Sequence, residues 1–62
     1  MSYNQDVVLE FIKKHPGGFA QDISRSTGII DIGKPLRALV RDGLVRSESN
    51  PYRGAKRYWA LP

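Results

Sequence analysis

The sequence predicts an α+β fold, and three features of its patterning lead there. Apolar residues recur at helical spacing through residue 42. The period then shortens to two, and glycines and prolines cut the chain wherever the period breaks.

The first helix runs from about Asn4 to Lys14, with Val7, Val8, Phe11 and Ile12 on one face and Leu9 to one side. Ser2 with Gln5 three residues later fits a capping box, and Asn4 is a second cap candidate. Lys13 and Lys14 fall in the last turn, where cations suit the helix dipole. Pro16-Gly17-Gly18 stops the helix, and Phe19 suffices for a short extended stretch.

A second, short helix spans about Gln21 to Thr27, with Asp22 in its first turn and Ile23 as its main buried residue. Gly28 suits the left-handed position that ends it. Ala20 supplies no side-chain cap, so this helix depends on tertiary packing. Asp31 suits the N-cap of a third helix that ends near Asp42, with Ile32, Leu36, Leu39 and Val40 as its apolar stripe. Pro35 belongs near its first turn, where a missing N–H costs least, and Gly43 terminates it.

Leu44 to Ser49 then extends, Asn50-Pro51-Tyr52-Arg53-Gly54 is rich in turn formers, and Lys56 to Leu61 extends again. In the last strand Trp59 and Leu61 share the face expected to cover the helices, with Arg57 on that side nearer the turn. Tyr58 and Ala60 share the other face. Helix, short strand, helix, turn, helix, hairpin is the order of a winged helix-turn-helix, and the agreement of several local signals over residues 1–62 predicts a single domain of that kind.

Composition narrows the function. A chain of 62 residues buries only roughly 60% of the surface its unfolded form exposes, which leaves little material for a supported catalytic pocket. An enzyme is not expected, and neither is a cofactor. The sequence has no cysteine, so a disulfide framework and a thiolate zinc site are excluded. His15 is the single histidine, with no acidic cluster beside it in sequence. Gly17-Gly18 and Gly33-Lys34 both lack the rest of a phosphate-binding loop, and Ser24, Ser26 and His15 have no nucleophile-base spacing. No apolar run approaches the roughly 20 residues of a membrane span, and no leader pattern opens the chain, so a cytoplasmic address is expected.

Charge supplies the positive clue. Lys13, Lys14 and Arg25 face Asp6, Glu10, Asp22 and Asp31 in the first half. Lys34, Arg37, Arg41, Arg46, Arg53, Lys56 and Arg57 face only Asp42 and Glu48 in the second, which therefore holds the whole of the +4 excess. A one-sided basic field points to a polyanion.

On the third helix Gly33, Lys34, Arg37, Ala38 and Arg41 project away from the apolar stripe. A helix that enters the major groove needs small residues for close approach and Arg or Lys for guanine edges and phosphates. Arg37, mid-face, is the expected base reader; Lys34 suits either task, and Arg41 suits a phosphate or plain solvation near the helix end. Gln21, Ser24 and Arg25 on the second helix are candidates for backbone contact. Tyr52, Arg53, Lys56 and Arg57 belong to a basic wing that would lie on phosphates or in a minor groove.

One family shares several of these segments. Leu9-Glu10-Phe11-Ile12, Lys14-His15-Pro16-Gly17-Gly18, Asp22-Ile23, Arg53-Gly54 and Tyr58-Trp59-Ala60-Leu61 resemble the FaeA-like winged-helix regulators of fimbrial operons, across about residues 7–61. The resemblance implies a bacterial DNA-binding transcription regulator, with the global regulator Lrp as a partner of some members. Lys34-Pro35-Leu36-Arg37 departs from the recognition segment of the pilus regulators, so the family's target sequence does not carry over.

The expected function is sequence-specific binding of double-stranded DNA by a monomer, since no dimerisation helix follows the hairpin. The alternative is a winged helix that presents its basic surface to an acidic protein. An anionic membrane surface fits less well, because the basic residues do not lie along one long amphipathic helix.

Overall fold

A computed structural model of the chain describes residues 3–49 and 55–62, so Ser2 of the expected capping box and the wing turn at 50–54, with Tyr52 and Arg53, lie outside the described residues. Helix α1 spans Tyr3–Lys14, strand β1 Gly18–Phe19, α2 Ala20–Thr27, α3 Gly33–Arg41, β2 Val45–Ser49 and β3 Lys56–Ala60. The strands form one antiparallel sheet in the order β1-β3-β2, which places the last strand in the middle. Gly28 and Gly43 both adopt left-handed backbone where α2 and α3 end, as their positions predict.

The helices pack on one face of this sheet. Val8, Leu9 and Ile12 of α1 meet Ile23 of α2, Leu36 and Leu39 of α3, and Val45 and Tyr58 of the hairpin. Four expectations need correcting at the helices. In α1 the buried arc is centred on Val8, Leu9 and Ile12, because α2, α3 and β3 all pack against that side, and Val7 and Phe11 are left half-buried at its edge. Asn4 lies inside α1 and so does not cap it.

Asp31 does not cap α3: Ile32 holds the cap position, without a side-chain bond, and its carbonyl accepts from the Leu36 N–H at 3.2 Å. Counted from Ile32, Pro35 occupies the third helical position, where it has no N–H for a capping side chain to bond. Pro35 is itself buried and takes one side of the apolar stripe, so Val40 at the other side is 38% exposed.

The largest correction concerns β3. Tyr58, not Trp59, closes the core: Tyr58 is 8% exposed, Trp59 is half-buried and Leu61 is 42% exposed. Register explains the assignment. Val45 pairs with Ala60, Ser47 with Tyr58 and Gly18 with Tyr58, and directly paired residues share a face. A side chain at Gly18 would point toward Ile23 and Phe11, which marks the face that its strand partner Tyr58 shares as the inner one.

Trp59 instead lies on the outer face beside Phe19, Arg46 and Arg57. The Arg57 guanidinium stands 5.4 Å from the Phe19 ring centre and 5.7 Å from that of Trp59, and Arg46 stacks on Trp59 at 4.6 Å. Arg57 Nε also donates to the Gly17 carbonyl at 2.8 Å, and the Gly17 N–H donates to the Tyr58 carbonyl at 2.8 Å. The turn after α1 is thereby tied to the central strand.

Gly17 has φ +81°, and a Cβ there would stand 3.1 Å from Arg57 Nη2 and 3.4 Å from Trp59 Nε1. Gly17→Ala is therefore expected to cost about 1–2 kcal/mol from the left-handed backbone alone, with displacement of Arg57 added. A lowered urea midpoint at unchanged slope is the expected readout. A midpoint equal to that of the parent protein contradicts the tie.

Candidate nucleic-acid interface

Helix α3 buries Pro35, Leu36 and Leu39, and the geometry of a helix then dictates what the opposite side presents. Lys34, Arg37 and Arg41 fall within an arc of about 60° centred opposite that buried stripe. All three are exposed, and the helix Gly33–Arg41 contains no carboxylate. Arg37 Nε donates to its own Gly33 carbonyl at 3.3 Å, which holds the guanidinium against the first turn. Arg41 meets Asp42 at 3.3 Å in a solvent-exposed pair of small energetic weight.

Gly33 opens α3, and a Cβ there would find only the flexible end of Arg37, 3.9 Å away. The fold itself leaves that space open. Ala38 is half-buried on the flank of α3 that faces Asn4 and Gln5 of α1.

The hairpin completes a concave basic surface. Lys56 at the start of β3 is exposed and lines a cleft of about 240 Å³ together with Arg37 and Arg41. Gln21 is exposed at the start of α2, beside a separate opening that Lys56 also borders, and Arg25 is exposed in the last turn of α2.

Two sequence candidates are used elsewhere. Ser24 Oγ donates to the Ile29 carbonyl at 2.6 Å, so its one proton closes the turn between α2 and α3. A phosphate only accepts, and Ser24 has no donor left for it. Arg57 is on the outer face of the sheet, away from α3, where it holds Gly17 and stacks between Phe19 and Trp59.

Val40, Ser47 and Tyr58 also line the cleft, although the sequence pattern alone puts Val40 in the core stripe of α3 and Tyr58 on the face of β3 away from the helices. Pro35 was the available signal for Val40: a buried proline on the far side of the stripe rotates the helix and lifts Val40 out.

No family model matches the chain, and no curated protein matches it. Solved structures do. The chain is similar to a MarR family transcription regulator with a TM-score of 0.90 and 26% identity, over 100% of this chain and 43% of that one. It is similar to the PcaV transcriptional regulator from Streptomyces coelicolor, solved with its natural ligand, with a TM-score of 0.90 and 20% identity over 98% of this chain and 45% of that one. It is also similar to MarR, with a TM-score of 0.88 and 20% identity over 98% of this chain and 47% of that one. The chain thus spans under half the length of each. The shared fold is the winged helix-turn-helix of these transcription regulators, which are not enzymes. No helix among the described residues is long and apolar enough to cross a membrane.

Proposed function

We propose that residues 1–62 form a sequence-specific, double-stranded DNA-binding domain of a transcription regulator, with α3 in the major groove and the hairpin wing on the backbone or in the adjacent minor groove. The observation that carries the reading is the outward pole of α3: Lys34, Arg37 and Arg41 in one exposed arc, with no acidic residue in the helix. Likeness to MarR-type regulators supports it. Arg37 is the base reader, Gly33 permits close approach, and Lys34, Arg41 and Lys56 grip phosphates, with Gln21 and Arg25 beside them. Arg53 and Tyr52, outside the described residues, are proposed contacts of the same interface on their sequence alone.

The resemblance to FaeA-like proteins supports a narrower reading, a cytoplasmic regulator of a fimbrial operon that acts as a monomer alongside a partner such as Lrp. A protein-interaction role has one observation in its favour, the stacked outer face of Phe19, Arg57, Trp59 and Arg46.

Salt dependence separates the two. If about four cations neutralise phosphates, log K for a duplex should fall with log salt at a slope of about −3.6. Lys34, Arg41 and Lys56, with Arg25 beside them, supply that number. A slope near zero, or no duplex binding at low salt, rejects the DNA reading and leaves the acidic protein partner.

A further inference from the structure

The cleft between α3 and the hairpin has a chemistry more particular than positive charge. Arg37, Arg41 and Lys56 surround it, Ser47 and Tyr58 add hydroxyls, and exposed Val40 gives it an apolar wall. None of its lining residues is a carboxylate. We infer that this cleft seats the sugar-phosphate strand that divides the major groove from the adjacent minor groove, with the Tyr58 hydroxyl donating to a phosphate oxygen in it. The inference rests on the DNA-binding reading above and adds contacts to it.

The path follows from the two grooves. A helix in the major groove and a hairpin in the neighbouring minor groove have one strand of backbone between them, and that strand must cross the space between the two elements. Backbone alternates anionic phosphate with the apolar edge of deoxyribose. Cations and hydroxyl donors suit the first, and Val40 suits the second.

Tyr58 is the specific feature. Its ring is in the core, yet its hydroxyl has no hydrogen-bond partner among the described residues. No fully buried polar side-chain atom lacks a partner among those residues, so that hydroxyl reaches open space. Tyr58 borders two openings. The one at the start of α2 contains the Asp22 carboxylate, which repels an anion, whereas the one beside α3 contains only cations and neutral groups. Burial pushes the phenol above its ordinary pKa, so the group remains a proton donor throughout the neutral range.

The test uses the full chain and its preferred duplex, taken by selection from a random pool. A series of that duplex carries one uncharged methylphosphonate at a time. Tyr58→Phe should keep the parent urea midpoint and bind the unmodified duplex about tenfold more weakly, the size of one hydrogen bond to a charged group. At one position in the series the parent should lose a similar factor, and Tyr58→Phe should lose nothing further. Lys56→Ala, an exposed change with little effect on folding, should show the same non-additivity at that position or a neighbouring one. Parent-like binding by Tyr58→Phe, or losses that add at every position for both variants, overturns the seat and leaves DNA binding standing. Failure of the parent protein to bind any duplex overturns both.

Discussion

Tyr58→Ala is expected to unfold the protein, and Trp59→Ala is expected to leave it folded. Truncating a buried aromatic to alanine costs about 3–5 kcal/mol. A chain of 62 residues has a total stability of roughly 3–9 kcal/mol, from about 0.05–0.15 kcal/mol per residue. Tyr58 contacts both helices and strands from the middle of the sheet, so its loss removes most of that total. Trp59→Ala loses the stacking of Arg46 and Arg57, about 0.5–1 kcal/mol for each exposed cation–π contact, together with part of its half-buried ring area. Far-ultraviolet circular dichroism against urea follows both variants without relying on the tryptophan signal. An unfolded Trp59→Ala beside a folded Tyr58→Ala means that the other face of β3 covers the helices.

That inversion shows what alternation alone leaves open. A strand of period two declares which residues share a face, and Tyr58 and Ala60 do share one. It does not declare which face turns inward. Trp59 carried the larger apolar surface and so took the inward role on size. The deciding facts were elsewhere in the chain: Gly18 leaves the inner side of β1 without a side chain, and Arg46 and Arg57 cover Trp59 from both flanks.

Local signals fared better where one residue dictates one backbone state. Gly28 and Gly43 end their helices in left-handed geometry, and Pro16-Gly17-Gly18 breaks the chain between α1 and β1. The exposed pole of α3 was legible too, because Lys34, Arg37 and Arg41 recur at helical spacing opposite Leu36 and Leu39. The cleft was not. Ser47 and Tyr58 reach it through strand register and Val40 through the rotation of α3, both of which depend on partners distant in sequence.

The second large effect separates reading a base from gripping the backbone. Arg37→Ala is expected to cost about 1–3 kcal/mol on the preferred duplex and much less on a scrambled one, with preference flattened at one base position. Lys56→Ala should weaken both duplexes about equally and reduce the salt slope by about one unit. The contrast follows from where the two cations stand. Arg37 is on the outward pole of a helix with Gly33 one turn before it, so its guanidinium can approach base edges. Lys56 projects from the rim of a sheet, across the cleft from α3. Neither substitution removes a buried contact, since both side chains are exposed, and equal urea midpoints should confirm that folding is untouched. Titration of each variant against matched preferred and scrambled duplexes at several salt concentrations gives both quantities. Parallel losses for Arg37→Ala together with a lost preference for Lys56→Ala would assign the reading to the hairpin. The minor groove would then be where sequence is recognised, and α3 would serve to hold the backbone.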